Sequence, residues 1–268
     1  MVPRISICFT DLTNFSFTKS FVSALEGAGI YAVFLPENSH VPIQRPKTLK
    51  SFPDIKRLAG FYDPFPCLSA LAALTDELKL GTSVCLLTQR DVLLVARALE
   101  TIQEISGGRF IFGVAGGFIR EAMENHGSIF QDRWKIVENS LLKLRQDWNI
   151  GSNSKKKLSF PPVWIGSNSK KVPARVARYA DGWLARKTLY PGNAIIDMKN
   201  ACEEIGRDYS KITMTSMDAS LELDELIGDF EAGYQHFIYF VSTQSLIEMS
   251  ERLDSIFKLI DQCRTYSS

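Results

Sequence analysis

The chain has 268 residues, of which 45% are apolar and 23% charged, and its formal net charge at pH 7 is +1. This composition is typical of an ordinary globular protein, and the length is within the range of one (β/α)8 barrel. The nearly neutral charge gives no electrostatic reason to expect nucleic acid or an anionic membrane as a partner. No apolar run approaches the roughly 20 residues that span a bilayer.

The beginning of the chain and its cysteines indicate the compartment. The stretch from Met1 to Phe17 mixes charge with polarity and lacks the apolar centre of a secretion signal. The five cysteines are odd in number and widely spaced, with no Cys-x-x-Cys pair. Buried free thiols in a reducing compartment explain this pattern better than disulfides or a zinc site. We therefore expect a single cytoplasmic domain over residues 1–268, without a metal.

Strand-like and helix-like stretches alternate along the chain, as a parallel barrel requires. The predicted strands are Ile5–Phe9, Tyr31–Leu35, Leu80–Leu86, Phe110–Val114, Val163–Ile165, Gly182–Ala185, Ile212–Met217 and His236–Val241. The predicted helices are Thr18–Ala28, Pro66–Glu77, Asp91–Ile105, a helical stretch through Trp148, Val172–Ala180, Ala194–Gly206, Leu223–Ala232 and Leu246–Cys263. Eight strands alternating with eight helices predict a closed (β/α)8 TIM barrel.

The segment Ser106–Gly117 is the most informative part of this pattern. A glycine pair follows the predicted helix, where glycine commonly marks a helix end. Phe110–Val114 is apolar throughout, which predicts a strand buried on both faces. Gly116 and Gly117 then permit close backbone approach at the carboxyl end of that strand, where barrels bind their ligands. A simple tight turn is the alternative interpretation of this pair.

Polar residues follow the carboxyl ends of the first five predicted strands and should converge on one mouth of the barrel. They are Asp11, Glu37, Asn38, His40, Thr88, Gln89, Arg90, Glu121 and the turn Gly166-Ser167-Asn168-Ser169. That turn precedes a predicted helix, so its N–H groups and hydroxyls form either an anion site or a plain helix cap. Histidine is the side chain best suited to exchange protons near neutral pH, so His40 is expected either to take a substrate proton or to make a structural hydrogen bond.

Several motifs carry a more specific signal through their order and spacing. They are Asp63-Pro64-Phe65, Leu80-Gly81-Thr82-Ser83-Val84, Asn125-His126-Gly127, Arg133-Trp134, Pro161-Pro162-Val163-Trp164-Ile165-Gly166 and Ala180-Asp181-Gly182-Trp183. This set resembles the luciferase-like monooxygenase family, and within it the branch that uses the deazaflavin coenzyme F-420. The segment Pro36–Pro42 is similar to that branch's Pro-Glu-His-Thr-His-Ile-Pro element. The resemblance covers roughly residues 27–184.

The resemblance implies an oxidoreductase that exchanges a hydride between F-420 and a small organic substrate, with His40 as the catalytic residue that handles the substrate proton. It implies that the coenzyme phosphate lies at the Gly166-Ser167-Asn168-Ser169 turn. Relatives carry a non-proline cis peptide behind the flavin ring at the position of Ser83-Val84. The remaining cofactor-binding residues that we predict are Gly116, Gly117 and Glu121. Relatives commonly form dimers through the barrel helices, so we expect a homodimer.

Three departures from the family pattern keep alternatives open. Asn38 replaces a histidine and cannot exchange a proton, Ser167 stands where relatives often have a second glycine, and the arm over residues 149–160 is short. One alternative is a monooxygenase that uses FMN and oxygen. Another is a flavin-binding barrel without catalysis. The other two histidines, His126 and His236, are expected to be structural.

Overall fold

The computed structural model describes residues 2–11, 18–42, 61–148 and 158–266. Two predictions fall outside these ranges. They concern most of the long loop between Pro36 and Pro64, of which residues 43–60 are not described, and the low-complexity segment over Gly151–Lys157.

The described strands form one parallel sheet that closes on itself. They are β1 (Arg4–Phe9), β2 (Ala32–Leu35), β3 (Lys79–Thr82), β4 (Cys85–Leu86), β5 (Phe110–Ala115), β6 (Val163–Gly166), β7 (Gly182–Arg186), β8 (Thr213–Met217) and β9 (His236–Val241). β1 pairs with both β2 and β9, and β3 and β4 both pair with β5. Because β3 and β4 are two parts of one barrel strand, the barrel has eight strands. The predicted TIM barrel is confirmed.

Helices surround the barrel and begin where the sequence supplies a cap. They are α1 (Lys19–Ala28), α2 (Pro64–Leu74), α3 (Val92–Ser106), α4 (Arg120–Asn125), α5 (Arg133–Gln146), α6 (Val172–Tyr179), α7 (Ala194–Glu204), α8 (Leu223–Ala232) and α9 (Leu246–Tyr266). The Asp91 carboxylate accepts the N–H groups of Leu93 and Leu94 at 2.8 and 3.0 Å and caps α3, as predicted. No described helix combines the length and apolar composition that a bilayer crossing requires.

Three elements differ from the sequence prediction. α2 begins two residues earlier than predicted because Asp63 caps it and Pro64 occupies its first turn. It ends at Leu74, since Thr75 has an extended backbone. The third strand, predicted as continuous, is interrupted at Ser83 and Val84, and the helical stretch through Trp148 is divided into α4 and α5.

The core has two main parts, separated by the sheet, and a small third cluster formed by Ile119 and Ala122. Alternate residues of the strands, such as Ile7 and Phe9, pack outward against the helices. A smaller cluster fills the barrel: Cys8, Ala32, Phe34, Ile111, Trp164, Leu184, Met217 and Ile238. Every residue of β5 is buried, which confirms a strand covered on both faces. Because side chains occupy the interior, a ligand site has to lie at one mouth of the barrel.

The cysteines are free, as predicted. Cys8, Cys85, Cys202 and Cys263 are buried, whereas Cys67 is only half-buried. Burial raises the pKa of the Cys85 thiol well above its ordinary value, with a further contribution from the nearby Glu37 carboxylate. Such thiols stay protonated and unreactive, which is typical of packing residues.

Candidate active site

A cleft of ≈ 870 Å³ opens at the carboxyl ends of the barrel strands. This volume is within the range of pockets that hold coenzymes and small ligands, and the cleft lies at the mouth where barrel enzymes carry their sites. Of the residues predicted for the cofactor, those that line it are Ser83, Val84, Gly117, Gly166, Ser167, Asn168 and Ser169. The structure therefore brings together the two segments that the resemblance singles out, Ser83–Val84 and Gly166–Ser169.

Three predicted site residues do not line the cleft. Gly116 lies beneath Arg133: a Cβ at position 116 would be 3.2 Å from the Arg133 Cβ and 3.1 Å from its Cγ. Glu121 is in the first turn of α4, and its Oε2 atom is buried without a hydrogen-bond partner in the described part of the chain. His40 lies in a polar cluster beside the cleft.

The Ser83–Val84 segment and the Gly166 turn are in direct contact. The peptide bond between Ser83 and Val84 is cis, as the resemblance implies. A Cβ at position 166 would lie 2.5 Å from the Val84 Cγ1 atom, so the contact leaves room only for glycine. The indole Nε1 of Trp183 donates to the Ser167 carbonyl at 2.9 Å, which ties the turn to β7. The buried Trp183 ring is therefore a packing residue beneath the cleft.

The Gly166–Ser169 turn leads into a helix whose first turn is not capped by a side chain. α6 begins at Val172, as predicted, and its N-cap residue Lys171 makes no side-chain cap. The Ser169 hydroxyl instead accepts the Lys171 N–H at 3.3 Å, one residue before the helix. Few N–H groups remain free at this helix start, because the Val172 N–H donates to the Ser169 carbonyl at 2.9 Å and Pro173 has no N–H. The anion site at this turn therefore stays a prediction.

Arginine side chains line the same cleft. Arg186 is neutralised, because its guanidinium pairs with Asp218 at 2.7 Å. Arg175 stacks on Trp134, with its Cζ atom 4.2 Å from the ring centroid, and its Nη1 atom is buried without a hydrogen-bond partner in the described structure. Burial lowers the pKa of Arg175, and the charge of Arg133 adds to this effect. Such a cleft fits the negatively charged group of a flavin-type coenzyme.

Glu37 lines the cleft and is held at both carboxylate oxygens. One oxygen pairs with the Arg90 guanidinium, and the other accepts the Leu86 N–H at 2.9 Å. Burial raises the pKa of Glu37, although the charge of Arg90 opposes this shift. The carboxylate thus joins the end of β2 to β4 and fixes one wall of the cleft.

Asp11 follows β1 but is fully engaged. It accepts the N–H of Thr243 at 2.9 Å, the Thr243 hydroxyl at 2.6 Å and the Ser242 hydroxyl at 2.8 Å. Burial alone would raise the pKa of Asp11, but these hydrogen bonds lower it below its ordinary value. Asp11 is therefore an ionised brace between the loops after β1 and β9.

His40 belongs to a hydrogen-bonded cluster beside the cleft. The Ser39 hydroxyl donates to the Gln89 Oε1 atom at 2.8 Å and contacts both His40 Nδ1 and His126 Nε2 at 2.9 Å. Because a hydroxyl has one hydrogen, which goes to Gln89, both imidazoles must donate to Ser39. His40 therefore carries its hydrogen on Nδ1, and its Nε2 atom accepts from the Asn125 amide at 2.9 Å.

The cluster is connected to the cleft through Gln89, which lines it. Asn38 also lines the cleft, and its amide donates to the His40 carbonyl at 3.0 Å, so it braces the histidine loop. Burial lowers the pKa of His126, and the neighbouring His40 lowers it further. The contact of Asn125 and His126 with this loop could not be predicted from the sequence, because no local pattern indicates a contact between residues so far apart in the chain.

Barrel, mouth and cleft together define a TIM-barrel protein with a candidate coenzyme site at the carboxyl ends of its strands. The sequence profile of the luciferase-like monooxygenase family matches residues 8–238, and the chain belongs to that family. The resemblance inferred from the motifs is confirmed.

Curated relatives match part of the chain. An uncharacterised protein of Mycobacterium bovis is 27% identical over 180 residues, which cover 59% of this chain and 64% of the relative. A phthiodiolone/phenolphthiodiolone dimycocerosates ketoreductase of Mycobacterium kansasii is 25% identical over 173 residues, covering 56% of this chain and 47% of the relative. The matched region is thus less than two thirds of the length of either relative.

Solved structures resemble the whole barrel. An F-420-dependent secondary alcohol dehydrogenase in complex with an F-420–acetone adduct superimposes with a TM-score of 0.69, covering 98% of this chain and 99% of that chain at 14% identity. A long-chain alkane monooxygenase gives a TM-score of 0.63, covering 87% of this chain and 68% of that chain at 15% identity. At such identities the likeness shows a common fold.

Proposed function

We propose that this chain is an oxidoreductase that exchanges a hydride between coenzyme F-420 and a small organic substrate in the cleft. The observation that carries the proposal is the contact between Val84 and Gly166, which joins the two predicted cofactor segments in one wall of a coenzyme-sized cleft. The likeness to an F-420-dependent alcohol dehydrogenase over nearly both full lengths favours F-420.

The residues of the chain would hold the coenzyme at two places. The deazaflavin ring would lie against Ser83, Val84 and Gly117, and the phosphate at the Gly166–Ser169 turn. When bound, the coenzyme supplies a ring carbon that gives or accepts the hydride. Glu37 and Arg90 would keep the wall rigid, since their ion pair links β2 to the segment after β4.

For the proton that accompanies the hydride, we propose His40 as the exchanging group. Its Nε2 atom carries the lone pair, which the Asn125 amide occupies. Proton uptake at Nε2 would therefore require the Asn125 side chain to turn away. Ser39 holds Nδ1 and connects the ring to Gln89 at the cleft. This arrangement favours one tautomer of His40, the form that accepts a proton at Nε2.

A second candidate function is an FMN-dependent monooxygenase, which the likeness to a long-chain alkane monooxygenase favours. Asn38 in place of a histidine is the feature that favours a third possibility, coenzyme binding without turnover. The family placement alone supports all three.

Titration of the apoprotein with F-420 and with FMN separates these functions, because the two chromophores differ in absorption and fluorescence. We expect F-420 to bind, and the complex to be reduced by members of a panel of alcohols. FMN binding with oxygen-dependent product formation would replace the proposal with the monooxygenase. Binding of F-420 without turnover across alcohols and aldehydes would identify a non-catalytic barrel. We further propose that the protein acts as a homodimer in the cytoplasm.

A further inference from the structure

Arg175 is an arginine with a buried donor and no acceptor. It lies on α6, lines the cleft with the Gly166–Ser169 turn, and has one face of its guanidinium covered by Trp134 at 4.2 Å. Its Nη1 atom is buried and has no hydrogen-bond partner within the described ranges. A buried charged donor without an acceptor is costly, and at the wall of a cleft a bound anion would complete its pairing.

The charged groups around Arg175 do not neutralise it. Arg133 also lines the cleft and carries the same positive charge. Its charge lowers the pKa of Arg175, in addition to the larger effect of burial. Tyr179 and, to a lesser extent, Glu138 raise the pKa of Arg175, but Tyr179 is uncharged at neutral pH and the Glu138 carboxylate forms an ion pair with Arg178. No described carboxylate forms an ion pair with Arg175 itself. Of the two guanidiniums, that of Arg133 donates to the Phe130 carbonyl at 2.9 Å, whereas that of Arg175 has a buried donor without an acceptor in the described residues.

We infer that Arg175 binds the phosphate group of the coenzyme, an inference that rests on the proposed function. A phosphate accepts hydrogen bonds from several directions, and the cleft offers donors on two sides. One side is the Gly166–Ser169 turn, whose two serines line the cleft. The other is the planar fork of Arg175, which Trp134 holds in place. Neither the family motifs nor the local sequence singles out Arg175, since its environment depends on a helix from elsewhere in the chain.

The test compares Arg175→Gln with the matched control Arg178→Gln. Both variants remove one positive charge from α6, but Arg178 pairs with Glu138 and does not line the cleft. Each protein is titrated with FMN and with riboflavin, which differ by the phosphate alone. It is also titrated with F-420 and with the corresponding deazaflavin that lacks both the phosphate and the acidic tail. Arg175→Gln is expected to weaken the phosphate-bearing ligand by about 10- to 100-fold and to leave the phosphate-free ligand unchanged. Arg178→Gln is expected to change neither.

A second measurement, thermal unfolding in the presence of inorganic phosphate, tests the anion site without a coenzyme and so independently of the proposed function. Inorganic phosphate should raise the unfolding temperature of the native protein and of Arg178→Gln, but not that of Arg175→Gln. If the native protein binds neither coenzyme, the proposed function fails while this arm still tests the anion site. An equal phosphate response in all three proteins would overturn the inference, as would equal weakening of both members of a ligand pair. Should Arg175→Gln fail to fold, Arg175→Lys retains the charge without the fork and is expected to lose part of the affinity.

Discussion

The histidines of this protein occupy two very different environments. His40 and His126 lie at the mouth, with their rings 5.7 Å apart, and share the Ser39 hydroxyl. His236 is fully buried in the barrel, hydrogen-bonded to Ser6, with the ring of Trp164 edge-on at 5.1 Å. Burial, and to a lesser extent the charge of Arg4, lower the pKa of His236 from 6.5 to about 3. The same residue type is thus buried in the barrel in one place and part of a hydrogen-bonded cluster at the mouth in another.

The buried His236 predicts how stability depends on pH. Between pH 6.5 and about 3, the unfolded chain binds a proton at this residue that the folded chain does not. The free energy of unfolding should therefore fall as the pH decreases through this window, by about 2 kcal/mol between pH 7 and 5. His236→Gln keeps a partner for Ser6 but does not titrate. Urea unfolding at both pH values should show a smaller loss for the variant, and equal losses would contradict the assigned pKa.

His40 is the residue on which the proposed proton exchange depends. His40→Asn is expected to lower kcat by a factor on the order of 10² and to leave the coenzyme Kd nearly unchanged. The pH–rate profile of the variant should lose the limb that reports the substrate proton transfer. The matched control is His126→Asn, which removes the other imidazole donor to Ser39 and should have a much smaller effect. Full turnover of His40→Asn would make His40 structural, and Glu37, which lines the cleft, would be tested next.

At the scale of elements, glycines set the distance between a strand end and the helix beside it. Gly116 follows β5, and the first residue of α5, Arg133, packs its Cβ and Cγ atoms against it. The close approach that the sequence predicted for this glycine is thus a contact with protein rather than with the cleft. Through this contact, Gly116 helps to seat an arginine that does line the cleft.

Gly116→Ala is therefore expected to push the start of α5 outward. The new Cβ would meet non-flexible atoms of Arg133 at 3.1 to 3.4 Å, an overpacking that costs about 1–3 kcal/mol. The free energy of unfolding, measured by urea titration, should fall, and coenzyme affinity should fall with it. Gly228→Ala in α8 is the control, because a Cβ there meets nothing within 4 Å and alanine favours a helix. An unchanged stability of Gly116→Ala would mean that α5 adjusts freely.

The elements that the sequence predicted well are those with a local physical cause. Continuous apolar runs such as Phe110–Val114 become strands buried on both faces, and Asp91 caps its helix because its side chain reaches the next N–H groups. The interruption of the third strand and the division into α4 and α5 have no comparable local signal. The environments of Arg175 and His40 depend on contacts with Trp134 and Asn125, which only the closed barrel brings near.

At the scale of the whole molecule, the two mouths of the barrel are not equivalent. The interior is filled by rings, with Phe34 and Trp164 stacked at 5.8 Å, so the cleft does not continue through the barrel. The coenzyme-sized space lies at the carboxyl ends of the strands, where five loops contribute its lining. This separation lets the barrel carry stability while the loops carry the site, which is why the fold hosts many activities.

The outer surface bears on the expected homodimer. On α3, Leu93 and Leu94 have exposed fractions of 58% and 72%, and Leu142 on the neighbouring α5 has 48%. Apolar side chains on adjacent helices are suited to a subunit contact, because association removes them from water.

We expect light scattering at micromolar concentration to give twice the chain mass of 30.1 kDa, and Leu94→Glu to shift the protein toward the monomer. Ile247→Glu, at a position 73% exposed on α9, is the control and should remain dimeric. A monomeric native protein would rule out the dimer, and dissociation by Ile247→Glu alone would move the contact to α9.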